Sequence, residues 1–300
     1  MATHNGAKFL SSQLDSIDAQ NYKNWQLWIS DDCSTDATLS IIQDYTKRWG
    51  AEKINLLAGP QKGASTNFLT LTANQTISAE YFAWADQDDI WLPDKLTRAV
   101  SKLSLADPQK SALYCGRTIL TDEQGRPYGL SPRMNRKPLG FSNALLQCIS
   151  GGNTMVFNQV ARELISDGAS LNVFSHDWWA YQIVSAHGGE LIYDTEPQVK
   201  YRQHGSNQVG SNRGLKARWN RLYRLFNGQY GQNFRMQLKA LEKVATKLPA
   251  DSQKKIKDLS LLCSWPKPFG RLRQFFKGCF YRQSPIEQII FSVAIFTAKI

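Results

Sequence analysis

The chain has 300 residues, 42% of them hydrophobic and 11% aromatic, which is the composition of a globular protein and excludes the disordered and fibrous classes. Its five cysteines form no CxxC pair, so neither a thiolate zinc site nor a disulfide framework is indicated, and a reducing compartment is favoured. The net charge of +11 is concentrated after residue 212, where 18 Lys and Arg face 4 Asp and Glu, and this asymmetry favours an anionic partner for that region.

Predicted helices and strands alternate along the first third of the chain. Apolar residues at helical spacing predict helices over residues 7–20, 35–49 and 66–79, and short apolar runs predict strands over 25–30, 54–58 and 81–85. A further helix is predicted to begin near Pro93. This alternation predicts an α/β fold with a mostly parallel sheet and helices on both faces.

The rest of the chain falls into two parts. Strands are predicted over 112–120, 153–157, 191–193 and 199–202, a Gly-, Pro- and Arg-rich loop over 124–138, and a helix over 177–186. These complete a first domain of residues 1–212, and residues 213–300 predict a basic, helical C-terminal appendage. The opening residues lack a signal peptide, and the longest apolar run, 289–298, is about half of the roughly 20 residues that a spanning helix needs, so a soluble or peripheral protein is expected.

Two acidic clusters follow predicted strands. Asp31 and Asp32 come after the strand over 25–30, and the segment Asp86-Gln87-Asp88-Asp89 comes after the strand over 81–85. Ligands of parallel sheets bind at the carboxyl ends of strands, where carboxylates together with substrate phosphates hold Mg²⁺ or Mn²⁺. The alternative for each cluster is a solvated turn that caps the following helix, and both interpretations stay open at this point.

The order of five motifs resembles that of a family 2 glycosyltransferase of the Rossmann-like GT-A fold, over residues 1–212. The motifs are residues 1–6 (MATHNG), 30–36 (SDDCSTD), 86–94 (DQDDIWLPD), 176–179 (HDWW) and 201–207 (YRQHGSN). The last two resemble motifs of a subgroup rich in rhamnosyltransferases. The resemblance implies a sugar transferase that uses a nucleotide-diphosphate donor.

The resemblance also implies roles for individual residues. A donor site would be lined by six of them: Thr3, Asn5, Asp31, Asn67, Asp86 and Arg202. Asp88 and His204 would hold the Mg²⁺ or Mn²⁺ ion, and Asp177 would be the general base of an inverting transfer. Each has an ordinary alternative: Asp177 and Asn67 as helix caps, and His204 as a surface histidine.

Several functional alternatives stay open. The donor is dTDP-rhamnose or, in the same fold, a UDP-hexose or UDP-HexNAc, and the acceptor is a saccharide or a lipid-linked saccharide of the cell surface. A nucleotidyltransferase is disfavoured because residues 59–63 fit no phosphate-binding loop. A non-catalytic nucleic-acid-binding protein is disfavoured because the positive charge is confined to the tail.

Two features bear on stability and location. The chain opens inside the first motif, so the first strand of the fold is expected to be missing, and an apolar extension is expected to raise the melting temperature. In the tail, basic residues flank Trp219, Leu222, Leu225 and Phe226, and further apolar residues lie at 275–276 and 289–296. Such a surface predicts either docking on an anionic membrane, at the inner face of the plasma membrane, or packing on the first domain.

Overall fold

A computed structural model describes residues 1–205, 229–264 and 267–297. The strands are β1 (Ala2–Thr3), β2 (Leu27–Asp31), β3 (Ile54–Ala58), β4 (Tyr81–Ala83), β5 (Ile90–Trp91), β6 (Ala112–Thr121), β7 (Pro127–Leu130), β8 (Val156–Asn158) and β9 (Glu190–Arg202). The first seven α-helices are α1 (Ala7–Asp18), α2 (Thr38–Trp49), α3 (Ala64–Ala73), α4 (Lys95–Leu103), α5 (Phe141–Ala144), α6 (Gln159–Ser166) and α7 (His176–Ala186). The C-terminal helices are α8 (Gln229–Val244), α9 (Ala250–Ser264), α10 (Pro268–Lys277) and α11 (Pro285–Phe296).

The strands form two sheets, and the predicted α/β class is confirmed. Strands β1, β2 and β3 pair in parallel, as do β6 and β9. The second sheet has the order β4-β8-β6-β9-β5, with β7 paired to β6, and its other pairings are antiparallel. The pairing is therefore mixed rather than mostly parallel. Short connections such as the turn between β6 and β7 permit only antiparallel neighbours, because a parallel return needs a long crossover.

The first strand is present in part, which corrects the expectation that it is missing. Ala2 pairs with Ser30, and Thr3 pairs with Asp31. The main-chain N–H of Ser30 donates to the carbonyl of Met1, and that of Asp32 donates to the carbonyl of Thr3. Two residues are enough to seat the first motif beside the end of β2.

Some predicted boundaries were wrong. Helix α3 ends at Ala73 rather than residue 79, because Asn74 adopts an extended conformation and its Oδ1 accepts from the N–H of Thr76. Such local side-chain hydrogen bonds compete with helix continuation. The predicted loop over 124–138 contains β7, and the two strands predicted between 191 and 202 form the single long strand β9.

The predicted C-terminal helices are present and share a core with the preceding α/β part. Phe234, Leu241 and Ile256 belong to the same buried cluster as Trp178 and Trp179 of α7. An amphipathic helix must bury its apolar face, and here the faces of α8 and α9 are buried against α7. The predicted amphipathic segment around Trp219 lies outside the described residues. In the described part of the chain, no helix combines the length and hydropathy needed to cross a bilayer.

Candidate active site

The loop after β4 gathers three carboxylates at the end of that strand. One side-chain oxygen from each of Asp86, Asp88 and Asp89 lies within 4.8 Å of the others. His204, which follows β9, places its Nε2 2.7 Å from Oδ2 of Asp88, although 116 positions separate the two residues. The two predicted metal ligands are therefore neighbours, in a pair that is only slightly exposed.

Crowding of like charges perturbs ionisation in this loop. The pKa of Asp86 is raised to about 7 because its carboxyl group is removed from water and because the charges of Asp88 and Asp177 lie close by. Burial and the charges of Asp86 and Asp88 also raise the pKa of Asp89 well above its ordinary value. A divalent cation would relieve this repulsion, and carboxylate oxygens are the ligands that Mg²⁺ and Mn²⁺ prefer. The donor set thus fits the predicted cofactor.

Lys95 places a buried amine near Asp86 and Asp89, and no role for it was predicted from the sequence. It is 1% exposed, and its Nζ lies 3.6 Å from the centroid of the Trp91 ring. Burial lowers its pKa to about 7, an effect that the charges of Asp89 and Asp86 oppose. Within the described residues, no hydrogen-bond partner contacts this Nζ. Its place on a helix six positions after Asp89 was the available signal.

Asp89 and Arg202 brace the acidic loop from inside. Asp89 is fully buried and accepts hydrogen bonds from the side chain of Asn153 and the main-chain N–H of Arg202. The Arg202 guanidinium donates to the carbonyls of Asp88 and Glu123, at 3.0 and 2.7 Å, and lies over the ring of Phe9. These contacts join Arg202 to the main chain around the site, and its contact with the donor stays a prediction.

The predicted nucleoside residues meet between β1 and the loop after β2. Asp31 is 7% exposed and accepts from the hydroxyl of Thr3 at 2.8 Å, and from both the N–H and the hydroxyl of Ser34. Asn5 accepts from the N–H of Thr35 at 2.8 Å. A carboxylate has about four lone-pair directions, so Asp31 keeps roughly one for a ligand. The structure therefore brings Thr3, Asn5 and Asp31 together.

Asp32 and Gln87 organise the same edge, and the sequence, which placed both in the acidic segments, predicted no individual role for either. Asp32 accepts from the main-chain N–H groups of Gln61 and Gly63, which holds the loop between β3 and α3. The side-chain amide of Gln87 accepts from the N–H of His4 at 2.9 Å and donates to its carbonyl at 3.0 Å. This reciprocal pair ties the acidic loop to the first motif. Only its place among three aspartates distinguished Gln87 in the sequence.

Asn67 does not cap its helix. Helix α3 begins without a side-chain cap, and Asn67 is buried in its first turns, with Nδ2 donating to the carbonyl of Ser30 at 2.9 Å. Its Oδ1 has no hydrogen-bond partner in the described part of the chain. Asn67 therefore anchors α3 to the end of β2, beside Asp31.

Asp177 lies in the first turn of α7, close to the acidic loop. It is partly exposed and accepts from the hydroxyl of Ser175 and the N–H of Trp178. Its charge acts on Asp86, which places the two carboxylates near each other. The capping position itself is Ser175. A carboxylate that is partly open to solvent beside the acidic loop is suited to accept a proton from a substrate.

His176 fixes the start of α7 from the buried side. Its ring stacks on Phe68 at 4.3 Å and meets Trp84 edge-on at 4.8 Å. Gly152 approaches so closely that an added Cβ would lie 2.4 Å from Nε2 of His176. Burial lowers the pKa of His176, which favours the neutral form of the ring. The packed ring holds the first turn of α7 in place and thereby positions Asp177.

Comparison with known families identifies one profile. The family described as "Glycosyl transferase family 2" matches residues 1–165, more than half of the chain. A dTDP-rhamnosyl transferase, RfbG of Shigella flexneri, is 29% identical over 261 residues, which cover 84% of this chain and 86% of that protein. Two uncharacterized glycosyltransferases of Rickettsia prowazekii and Rickettsia typhi are 25% and 26% identical, and the chain spans 62% of the length of each.

Solved structures share the fold at low sequence identity. Staphylococcus aureus TarS 1–349 in complex with UDP-GlcNAc matches with a TM-score of 0.56 and 12% identity, over 99% of this chain and 88% of that one. The mannosyltransferase PcManGT of Pyrobaculum calidifontis, in complex with GDP-Man and Mn²⁺, matches with a TM-score of 0.50 and 17% identity, over 99% and 84%. Both structures hold a nucleotide sugar, and the likeness covers 99% of this chain.

Proposed function

Because the chain belongs to glycosyltransferase family 2, we propose that it is an inverting sugar transferase of cell-surface polysaccharide synthesis. It moves a hexosyl or deoxyhexosyl group from a nucleotide-diphosphate donor to a hydroxyl of a saccharide or lipid-linked saccharide. The observation that supports this most is the acidic cluster of Asp86, Asp88 and Asp89, with His204 against Asp88 and Asp177 nearby. Because the chain belongs to this family, it is a sugar transferase rather than a nucleic-acid-binding protein or a nucleotidyltransferase.

The residues divide between the donor and the acceptor. Thr3, Asn5 and Asp31 bind the nucleoside, where Asp31 accepts from the base with its remaining lone pair. Asp86 would lie nearer the ribose, and Asp88 with His204 would hold the Mg²⁺ or Mn²⁺. When bound, that ion neutralises charge on the departing diphosphate.

Asp177 is the proposed general base. It accepts the proton of the acceptor hydroxyl as that oxygen forms a bond to the anomeric carbon, on the face opposite the diphosphate. The bond from the anomeric carbon to the diphosphate oxygen breaks, and its electron pair leaves with the nucleoside diphosphate. Attack from the opposite face inverts the anomeric configuration.

The donor proposed first is dTDP-rhamnose. A relative named as a dTDP-rhamnosyl transferase aligns with 84% of this chain, which supports that choice. UDP-hexose and UDP-HexNAc remain the alternatives, because a structural neighbour binds UDP-GlcNAc. They come second because that neighbour shares only the fold with this chain. We propose a cytoplasmic location at the inner face of the plasma membrane, where a lipid-linked acceptor is available.

A donor screen tests the proposal. Release of dTDP, UDP or GDP from each nucleotide sugar is followed in the presence of Mn²⁺ or Mg²⁺. The protein is compared with its Asp88→Ala variant and with an Asp44→Ala control, which changes an exposed residue of α2. We expect release from one donor, lost in Asp88→Ala and with chelator and kept in the control. Release that is unchanged in Asp88→Ala, or that is absent for every donor together with no nucleotide binding by calorimetry, would contradict the proposal.

A further inference from the structure

Helices α10 and α11 expose large apolar side chains to solvent. On α11, Ile286 and Ile289 are 62% and 65% exposed, and Val293 and Phe296 continue the same stripe at helical spacing. The opposite side of α11 buries Phe291 and Ile295 in the core. Helix α11 therefore has two apolar faces. Within the described structure, one face packs in the core and the other is exposed to solvent.

The stripe on α11 continues onto α10. Phe269 and Phe276, seven positions apart on α10, are 77% and 64% exposed. The rings of Phe269 and Phe296 meet edge-on at 5.5 Å, which joins the two helices at the surface. We call the six exposed residues the apolar face: Phe269, Phe276, Ile286, Ile289, Val293 and Phe296. Contiguous apolar surface of this kind marks an interaction site rather than ordinary scatter.

The surroundings of the apolar face are basic. Residues 267–297 contain five Lys and Arg and one acidic residue, Glu287. Glu287 pairs with Arg282 at 3.2 Å, so its charge is compensated. Lys267, Arg273 and Lys277 are exposed at the ends of α10 and along it. Among the residues that the structure describes, these three form no ion pair, and large apolar side chains next to such positive charge fit a surface that is both apolar and anionic.

We propose that the apolar face docks the protein on an anionic lipid bilayer, with α10 and α11 lying in the interface. Helix α11 has 12 residues, about 18 Å at 1.5 Å per residue, whereas a hydrocarbon core is about 30 Å thick. It therefore lies on the membrane rather than crossing it. The docking rests on the proposed function, because a lipid-linked acceptor is what the enzyme would reach at a bilayer.

The connection between α10 and α11 links the apolar face to the active site. Arg282 donates to the carbonyl of Leu146 at 2.7 Å, and the side chain of Asn143 donates to the carbonyl of Tyr281 at 3.0 Å. The segment that carries Leu146 leads to Asn153, whose side chain holds Asp89. Docking through the apolar face would thus hold the acidic loop of the catalytic part in a constant position relative to the membrane.

Vesicle flotation tests the docking. The full chain is mixed with vesicles of phosphatidylcholine alone or with phosphatidylglycerol, and is compared with the double variant Phe276→Glu/Ile289→Glu. The matched control is Leu105→Glu/Tyr128→Glu, which places the same charges on exposed apolar residues elsewhere. We expect binding that requires phosphatidylglycerol, about tenfold or more weaker in the first variant and within about twofold in the control.

A second variant separates the charge from the apolar contact. Arg273→Gln/Lys277→Gln keeps the apolar face and removes two positive charges. Each basic residue near an anionic surface contributes about 1 kcal/mol, so we expect about fivefold weaker binding per residue, an effect that added salt diminishes. Circular dichroism of all variants checks that they fold.

Three results would overturn the proposal: no binding of the wild-type chain to anionic vesicles, equal binding of Phe276→Glu/Ile289→Glu and its control, or a dimer that dissociates in that variant without lipid. The last result would assign the apolar face to a second copy. Nucleotide release without vesicles reports separately on the proposed function. An active chain that ignores vesicles contradicts only the docking, and an inactive chain that binds them contradicts only the enzyme.

Discussion

Asp177 and Asp86 are close enough for the charge of one to affect the ionisation of the other, yet they are proposed to act differently. Asp86 lies in the crowded acidic loop and has a pKa of about 7. Asp177 is partly exposed at the start of a helix, where N–H and hydroxyl groups donate to it. Because the Asp177 carboxylate is partly open to solvent, an acceptor hydroxyl can reach it, whereas Asp86 in the crowded loop is better suited to contact the donor.

The role of Asp177 predicts a defect in the chemical step. Asp177→Asn is expected to lower kcat by about 10² to 10⁴-fold, the usual range for a general base, while calorimetry shows donor affinity within about twofold. Asp167→Asn, at a partly exposed carboxylate that pairs with Lys247, is the control. The anomeric configuration of the product, read by NMR, is expected to be inverted. A variant that loses donor affinity and keeps kcat would place Asp177 in the donor site instead.

The raised pKa of Asp86 predicts a pH dependence. Between about pH 4 and 7 the folded protein binds a proton on Asp86 that the unfolded chain releases, so this group's contribution to stability falls as pH rises through that window. A divalent cation competes with that proton, and its affinity is expected to rise with pH up to about 7.

Thermal unfolding with chelator and with Mn²⁺, from pH 5 to 7, tests this dependence. The increase in Tm caused by Mn²⁺ should grow with pH in the wild type and be smaller and flatter in Asp86→Asn. The window stops at pH 7 because Lys95, with its pKa lowered to about 7, contributes with the opposite sign above it. An increase in Tm that does not depend on pH would contradict the assignment.

At the scale of elements, α4 is joined to the second sheet by a buried ion pair. Asp194 on β9 is 3% exposed and accepts from Nε and Nη2 of Arg98, at 2.5 and 3.0 Å, and from the hydroxyl of Tyr114 at 3.0 Å. Burial opposes its ionisation, and the hydrogen bonds from Arg98 and neighbouring groups nevertheless hold the pKa of Asp194 below its ordinary value. This junction orients the helix that carries Lys95 toward the acidic loop.

Removing that junction is expected to destabilise the fold. Asp194→Ala leaves Arg98 and Tyr114 without their acceptor, and we expect a loss of about 2 to 3 kcal/mol, less than for a fully buried pair because Arg98 is partly exposed. The free energy of unfolding in urea is the measurement. Asp107→Ala, which breaks an exposed pair with Lys110, should change it by less than about 1 kcal/mol. Equal effects of the two variants would refute the role of the junction.

At the scale of the molecule, one core runs from the α/β part into the C-terminal helices. Phe234 on α8 lies 6.1 Å from Trp178 and 5.7 Å from Phe291, measured between ring centroids. The side chains of Gln237 and Gln182 join α8 to α7 by a hydrogen bond of 2.7 Å. Helix α7 begins with His176 and Asp177, so the C-terminal helices support the proposed base from behind.

A shared core predicts shared unfolding. Phe234→Ala is expected to cost about 3 to 5 kcal/mol, the usual price of a large cavity, and to lower the Tm reported by tryptophan fluorescence and by circular dichroism equally. Leu261→Ala, a partly exposed position on α9, should change Tm little. Two separate transitions, with only one moved by Phe234→Ala, would show that the C-terminal helices unfold independently.

The local structure and the types of residue at the site could be predicted from the amino-acid sequence. The spacing of apolar residues and the positions of turn-forming residues predicted α1, β3, β6 and α7 closely. The clusters around Asp31 and Asp88 were correctly placed after strands. The five motifs pointed to the family that the comparison shows. These features depend on neighbours within a few residues, which is the range over which periodicity and turn preferences act.

Which distant residues meet could be read only from the folded chain. The pairing of His204 with Asp88, the support of Asp89 by Asn153 and the inward orientation of Arg202 depend on β9 lying between β6 and β5. Strand order and antiparallel pairing are set by the burial of whole faces and by connection lengths, which leave no local signature in the residues concerned. For the same reason the basic tail could be recognised as helical from its sequence, while its two faces, one packed in the core and one apolar and exposed, could not be told apart.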